Sequence, residues 1–354
     1  MKNNSKISKK LTAKTKGIYS LLMIVLTFVV GLSIAEILIR VFIPQQETMR
    51  WFLPDEKYGH VLKRNFHQRY HYFDSNFFMD VKTNSLGLRD KEYDLSRTDV
   101  KRILLLGDSF VFGHGVNIED CFDSRLEELL NRSGESFFVI NAGVGGWGSL
   151  QEFAYAKDNF ALFNPDIIVV TFCGNDLGDD LRFIAKVPYR RGLLRFPGKV
   201  FVRNHSHLYR LIQTKFSRLR HNWKVKKKHT DVKKRLTDIE GIIDKQSGCI
   251  ITEDDFDRTL GYIKSFHYDF LKFNPDGLLL VQSTNPLNAN IRSHLSSLSN
   301  GEDLIYVDLY DDVSQLRPEQ MKVPHFGHWS PLMHSISAEN LFKNILNYYF
   351  SNSN

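Results

Sequence analysis

The segment RILLLGDSFVFGHG, residues 102–115, decides the fold class and contains the first candidate functional residue. Its first half is a continuous apolar run, which is typical of a strand buried on both faces of a parallel sheet. The run ends at Gly107-Asp108-Ser109, so a short turn leaves small polar side chains at the carboxyl end of the strand. Ligands of open α/β sheets bind at that edge. Ser109 is therefore either a reactive hydroxyl or the N-cap of a following helix, a position that serine favours.

Four further apolar runs repeat this pattern along the chain, and helical patterns separate them. The runs are FFVIN (137–141), DIIVVTF (166–172), GLLLVQS (277–283) and LIYVD (304–308). The helical patterns cover residues 119–132, 149–162, 255–273 and 331–349. Alternating strands and helices predict a three-layer α/β/α sandwich around a five-stranded, mainly parallel, flavodoxin-like sheet.

The amino terminus predicts a membrane anchor. The 354-residue chain has a net charge of +7, and six lysines within residues 1–17 account for nearly all of it. They precede residues 18–35, which carry no charge and are long enough to cross a bilayer as a helix. The positive-inside rule then predicts a cytoplasmic amino terminus, a single span in the inner cell membrane and an extracytoplasmic remainder. The alternative is a cleaved signal peptide that ends at the small residues SIA before Glu36.

The sequence divides into four regions. We predict a basic cytoplasmic tail (1–17), a transmembrane helix (18–43), a linker with strand and turn segments (44–101) and an α/β domain (102–350) with a basic insertion at about 185–250. Within the insertion, residues 215–235 hold ten Lys and Arg and one acid. This stretch is either a solvated surface segment or a surface for anionic lipid headgroups or an acidic polymer. Aromatic residues are sparse there, so we expect no nucleic-acid partner.

Four segments supply the chemistry expected at the sheet edge. They are GDSF (107–110), NAGVGGWGS (141–149), CGNDLGDD (173–180) and HFGHWSPLMH (325–334). Ser109 offers a hydroxyl, His328 a base, the glycines open backbone N–H groups, and Asn175 an amide donor. A nucleophile, a base and anion-binding donors are the groups that acyl transfer requires. Taken singly, Asn175 also suits a turn and His328 an exposed surface position.

The order of these motifs resembles the SGNH (GDSL-type) hydrolase superfamily, and more narrowly its bacterial members with one amino-terminal membrane helix. TNSLGLRD (83–90), ILLLGDSFVFGHGV (103–116) and NAGVGGWG (141–148) are similar to the pattern in those proteins. The likeness runs from about residue 58 to the end and is loosest at 185–250. It implies that Ser109 is the nucleophile and His328 the general base. It also implies oxyanion donors at Ser109, at Gly146 (with Gly143 a weaker match) and at Asn175.

One departure from the family concerns the histidine. The family has an aspartate two or three residues before it, where this chain has Phe326 and His325. Three explanations are open: a Ser109–His328 dyad, an orienting partner elsewhere, or an impaired site. The candidate partners are His325, Asp308, Asp311, Asp312 and Glu319. Replacing the aspartate of a serine-protease triad lowers kcat by about 10⁴, so the difference bears on activity.

The leading hypothesis is a membrane-anchored, exported serine esterase that cleaves an ester, such as an O-acetyl group, on a small molecule, lipid or polysaccharide. One alternative is an O-acyltransferase acting on an envelope polysaccharide, and another is a non-catalytic binding protein. No Walker loop, Rossmann fingerprint or metal-ligand spacing is present in the sequence, and the three cysteines are scattered, so we expect no cofactor and no metal. The sequence does not indicate an oligomeric state.

Overall fold

The computed structural model describes residues 2–45, 47–72, 77–184, 198–216, 242–243, 250–251, 253–323 and 327–351. The chain divides into two compact units. One consists of Met1–Thr48 and Arg191–Arg235, and the other of Met49–Arg190 and Leu236–Asn354. The predicted basic stretch at 215–235 lies outside the described residues from 217 onward.

The larger unit is built on a five-stranded parallel sheet, as the sequence predicts. Its strands, numbered in chain order with those of the rest of the chain, are β5 (Lys101–Gly107), β6 (Phe137–Asn141), β7 (Ile167–Phe172), β10 (Leu278–Ser283) and β11 (Leu304–Val307). The spatial order is β11-β10-β7-β5-β6, and every neighbouring pair is parallel. This is the flavodoxin-like order, in which the chain reverses its winding direction between β5 and β7.

Helices cover both faces of this sheet because alternate strand residues face opposite layers. Leu104 and Leu106 of β5 pack in the cluster that includes Phe153 and Phe266, whereas Ile103 and Leu105 pack in the opposite one. The flanking helices are α2 (Phe122–Arg132), α3 (Ser149–Phe163), α7 (Glu253–Phe273) and α11 (Pro331–Ser351). Shorter helices connect them: α4 (Asp176–Ile184), α8 (Ala289–Ser296), α9 (Tyr310–Val313), α10 (Pro318–Met321) and a 3₁₀ turn (Ile118–Asp120).

Two antiparallel hairpins precede the sheet in the same unit. The first pairs β1 (Phe52–Asp55) with β2 (Gly59–Leu62), and the second pairs β3 (His67–Tyr72) with β4 (Phe77–Lys82). Their buried side chains form one cluster with Phe112, Val144 and Trp147 from the loops after β5 and β6. The hairpins therefore pack against the carboxyl edge of the sheet, where the candidate site lies. A further pair, β8 (Ile242–Ile243) and β9 (Ile250–Ile251), is also antiparallel.

The smaller unit contains the amino-terminal helix α1 (Lys2–Phe42), α5 (Lys199–His205) and a helix over 207–216, α6. Within the described chain, one helical stretch, Thr15–Phe42, is long and apolar enough to cross a membrane by length and composition, with a mean hydropathy of 2.6. Near its end the Glu36 carboxylate accepts hydrogen bonds from the backbone N–H groups of His207 and Leu208. The first turn of α6 is thus capped by an acid on α1.

Candidate active site

Ser109 lies in the turn that follows β5. The Asp108 side chain accepts a hydrogen bond from the Phe110 N–H (2.9 Å) and thereby fixes this turn. Gly107 lets the turn fold back on the strand, because a Cβ at that position would lie 2.2 Å from Cγ2 of Val111. The next helical residues along the chain begin at Ile118, so Ser109 caps no helix there. Its half-buried hydroxyl is available for another contact.

That contact is with His328: Ser109 Oγ lies 2.8 Å from His328 Nε2. His328 precedes α11, and its carbonyl accepts a hydrogen bond from the Val323 N–H (2.9 Å). Its ring packs against those of Phe110 and His114, with centroid distances of 5.0 Å and 4.8 Å respectively. The fold therefore joins a hydroxyl and an imidazole that are 219 residues apart in sequence.

Asn175 follows β7, and its side chain contacts Asp108, the residue next to Ser109. Its amide Nδ2 donates to Asp108 Oδ2 (3.1 Å) and to Asp179 Oδ2 (3.0 Å). The same Asp108 oxygen lies 3.4 Å from Ser109 Oγ. One carboxylate oxygen thus connects the hydroxyl and the amide nitrogen, at the crevice between β5 and β7 where the winding direction changes.

The two acids that accept from this amide belong to a larger group of buried acids whose pKa values are raised. Burial raises the pKa of Asp108 and of Asp179, and it raises the pKa of Asp180 to about 7. Burial and the neighbouring acids place the pKa values of Glu152 and Asp176 well above their usual range. Both Glu152 carboxylate oxygens are buried without a hydrogen-bond partner among the described residues. Among the described residues, no group of His, Cys, Asp and Glu has the geometry to hold a metal ion.

The loop after β6 brings two candidate glycines to the site, and their surroundings differ. The Gly143 N–H donates to Oδ1 of Asn141 (2.9 Å), so that donor is already used within the loop. Gly146 is half-buried and has a φ of 85°, in the left-handed region that favours glycine. A Cβ placed on the adjacent Gly145 would lie 3.6 Å from Cβ of Ser109. The loop therefore passes beside Ser109, and its local hydrogen bonds favour Gly146 over Gly143 as an anion donor.

The candidate orienting acids have other partners or face solvent. The exposed Asp308 carboxylate accepts from the Arg292 guanidinium (Nε to Oδ2, 3.0 Å) and from the Tyr310 N–H (3.0 Å). Asp311, Asp312 and Glu319 are exposed. His325 lies outside the described residues. Asp308 therefore pairs with Arg292, and all four acids are exposed to solvent instead of being buried against the imidazole.

Some residues that support the site were not identified from the sequence. The buried Arg89, in the TNSLGLRD segment, donates to four backbone carbonyls, of Asp80, Phe112, Gly113 and Val116. It thereby holds the loop that follows Ser109. The TNSLGLRD motif was the sequence signal that could have pointed to Arg89. A charged side chain is rarely buried unless it has hydrogen-bond partners. His114, which packs on His328, is contacted by the Tyr72 hydroxyl 3.1 Å from its Nε2.

Comparison with known proteins places these features in a family. The model of the GDSL-like lipase/acylhydrolase family matches residues 105–334. No curated protein matches the sequence. Similar solved structures include a lipase, Lip_vut3, from a goat rumen metagenome (15% identity, TM-score 0.42, 68% of this chain and 95% of that one). Another is the Clostridium thermocellum family 3 carbohydrate esterase (14% identity, TM-score 0.39, 69% of this chain and 94% of that one). A third is the esterase EstA from Pseudoalteromonas sp. (10% identity, TM-score 0.40, 70% of this chain and 98% of that one).

Proposed function

Because this chain belongs to the GDSL-like lipase/acylhydrolase family, we propose that it is a serine esterase in which Ser109 and His328 hydrolyse an ester bond. The observation that carries this proposal is the 2.8 Å contact between Ser109 Oγ and His328 Nε2. A hydroxyl at hydrogen-bond distance from an imidazole is the arrangement that activates serine as a nucleophile. The reaction is then an ordinary two-step acyl transfer to water.

In the first step Ser109 Oγ attacks the ester carbonyl carbon while its proton passes to His328 Nε2. The tetrahedral intermediate collapses when His328 returns that proton to the departing alcohol, which leaves an acyl group on Ser109. In the second step a water molecule attacks the acyl carbonyl and gives its proton to His328. The second tetrahedral intermediate collapses when His328 returns that proton to Ser109 Oγ, which breaks the acyl–Oγ bond, releases the carboxylic acid and restores the hydroxyl.

The oxyanion of each intermediate is stabilised by the N–H groups of Ser109 and Gly146 and by the Asn175 amide. In the resting protein the amide donates to two carboxyl groups, so the oxyanion must draw one N–H away from Asp108 or Asp179. Negative charge on Asp108 beside the oxyanion would oppose this step. The raised pKa of Asp108 reduces that repulsion, because a neutral carboxyl group carries no charge toward the intermediate.

His328 works as a dyad with Ser109 in this proposal. The rings of Phe110 and His114 pack against the imidazole, and this packing restricts its rotation, which is one task of the aspartate in a triad. The hydroxyl of Tyr72 in turn holds His114.

We further propose that α1 anchors the enzyme in the inner membrane, with the lysine-rich residues 1–17 in the cytoplasm and the larger unit outside it. The apolar stretch Thr15–Phe42 and the charge before it support this arrangement.

The substrate class is an O-acyl ester, such as an O-acetyl group on an envelope sugar or lipid. Neutral donors around Ser109 suit a carbonyl oxygen that becomes charged only during the reaction.

The test uses the full chain purified in detergent and a chromogenic acetate ester. Ser109→Ala is expected to lower kcat at least 10³-fold, because it removes the nucleophile. Ser296→Ala, which changes an exposed serine on α8, is the matched control and should leave kcat unchanged. A serine-directed phosphonate should label the wild type once and Ser109→Ala not at all. A wild type that neither turns over esters nor takes the label contradicts the proposal and favours a binding protein. Acetyl transfer to an added oligosaccharide, in place of acetate release, would replace hydrolysis with transfer.

A further inference from the structure

A histidine outside the family-matched region contacts the peptide next to the candidate nucleophile. His60 lies in β2, is 3% exposed, and places Nε2 3.0 Å from the Gly145 carbonyl oxygen. A carbonyl oxygen only accepts hydrogen bonds, so Nε2 carries the proton. This is a buried, directed donor that the proposed mechanism does not use.

The bonded carbonyl belongs to the same peptide unit as the Gly146 N–H. The chain contains no cis peptide bond among its described residues, so this C=O and N–H point in opposite directions across one planar group. A donor that fixes the oxygen therefore fixes the direction of the N–H. Hydrogen bonding at the oxygen also polarises the amide and makes its N–H a stronger donor. Two glycines flank this peptide, so little else in the local chain restrains its rotation.

We propose that His60 is a positioning residue that aims and strengthens the Gly146 N–H toward the oxyanion. The inference rests on the proposed function, since it concerns the oxyanion of that reaction. Gly145 lies beside Ser109, and Gly146 is the more exposed of the two glycines. His60 is buried and contacts the carbonyl end of the same peptide, whose C=O and N–H point in opposite directions.

Further contacts hold the backbone and the ring of His60 in place. The Trp147 indole Nε1 donates to the His60 carbonyl (2.8 Å), and the Gln151 amide donates to the Tyr58 carbonyl (2.6 Å). The Phe52 ring packs edge-on against the imidazole, with centroids 5.3 Å apart. The first hairpin is thus attached to the loop 145–147 and to the start of α3, and the donor cannot swing away without breaking these contacts.

The consequence is that the oxyanion site needs the amino-terminal hairpin. The family match begins at residue 105, yet the donor behind Gly146 comes from residue 60. Loss of that donor removes no group that touches substrate. It lets the peptide rotate, so transition-state binding falls while substrate binding changes little.

The experiment compares His60→Gln with His60→Met in the full-length protein. The two side chains are similar in length, but only glutamine has an N–H that can reach the Gly145 carbonyl. The concentration of active sites is measured by phosphonate titration, and kcat is calculated per active site, so that misfolded protein does not lower its value. We expect His60→Met to lower kcat about 10–100-fold with KM within about twofold, somewhat less than the loss of a whole oxyanion donor. His60→Gln is expected to recover most of the rate.

Two further measurements separate positioning from a structural role. A boronate that forms a tetrahedral adduct on Ser109 should bind His60→Met weakly in proportion to the lost kcat, whereas a non-reactive product analogue should bind as before. The exposed His67→Met, in the neighbouring hairpin, should match the wild type in every readout. Equal kcat for the Gln and Met variants overturns the inference, whether both are active or both are slow. An inactive, unlabelled wild type overturns the proposed function instead, so the two failures are distinguishable.

Discussion

Replacing Asp180 with asparagine is expected to stabilise the protein far more at pH 8 than at pH 5. The side chain is 3% exposed, and its Oδ1 accepts a hydrogen bond from the Leu150 N–H (2.9 Å). Its Oδ2 is buried without a partner among the described residues. Burial is the largest cause that raises the pKa of this acid from 3.8 to about 7. Asparagine keeps the acceptor for Leu150 and carries no charge at any pH.

The sign and the magnitude follow from proton linkage. The native state of the wild type holds a proton between pH 3.8 and about 7 that the unfolded state has lost, so its stability falls as pH rises through that window. One pKa unit corresponds to about 1.4 kcal/mol. The raised pKa of Asp180 therefore lowers the free energy of unfolding of the wild type by about 1.5 kcal/mol at pH 5, and this loss levels off near 4 kcal/mol above pH 7. The Asp180→Asn variant does not lose this stability, because asparagine does not ionise. Its advantage over the wild type should therefore grow by about 3 kcal/mol between pH 5 and pH 8.

The assay is thermal unfolding of the full-length wild type and of Asp180→Asn at both pH values in the same detergent. A gain of about 3 kcal/mol corresponds to an extra increase in Tm of roughly 5–10 °C at pH 8. Asp311→Asn removes an exposed acid and serves as the control, with the same small effect at both pH values. If Asp180→Asn shifts Tm equally at pH 5 and pH 8, Asp180 is not a buried proton-holding acid and the account of the carboxyl cluster is wrong.

Two other substitutions test the neighbouring parts of the site. Asn175→Ala should lower kcat by about 10²–10³ with little change in KM, as loss of an oxyanion donor does; an unchanged kcat would remove Asn175 from that role. Arg89→Met should destabilise the protein by roughly 3 kcal/mol or more, measured as a fall in Tm, because it leaves four backbone carbonyls without their donor. Arg97→Met, at an exposed ion pair with Asp99, should change Tm by about 1 °C or less, and equal losses for the two arginines would contradict the role of Arg89.

The central sheet was predictable because its strands are buried on both faces. Such strands require apolar side chains at consecutive positions, and the run at 103–106 shows this directly. The hairpins at 52–82 gave a weaker signal because one face of each strand meets solvent. In β3, for example, the buried positions are Gln68, Tyr70 and Tyr72, and a buried glutamine hides the alternation. Gln68 is tolerated there because its side chain accepts a hydrogen bond from the Arg50 N–H.

The chemical groups of the site were predictable from residue type and position, whereas their partners were not. Sequence placed Ser109 and Asn175 at the ends of strands that prove to be neighbours, because parallel strands end at one edge. It gave no sign that the Asn175 amide would face Asp108 and Asp179. The carboxyl groups acquire raised pKa values only when packing removes them from water, which is a property of the folded chain and not of the residue.

Two side chains that precede the sheet contact the loops around Ser109 through backbone carbonyls, so the sequence did not show which positions they would contact. His60 bonds to the carbonyl of Gly145, and Arg89 bonds to carbonyls between Phe112 and Val116. Every residue has such a carbonyl, so the partner positions carry no distinctive side chain. The two contacts nevertheless hold the loops on either side of Ser109, one after β5 and one after β6. His60 and Arg89 therefore belong physically to the candidate site: without them, the backbone around Ser109 lacks the donors that keep its peptide groups in place.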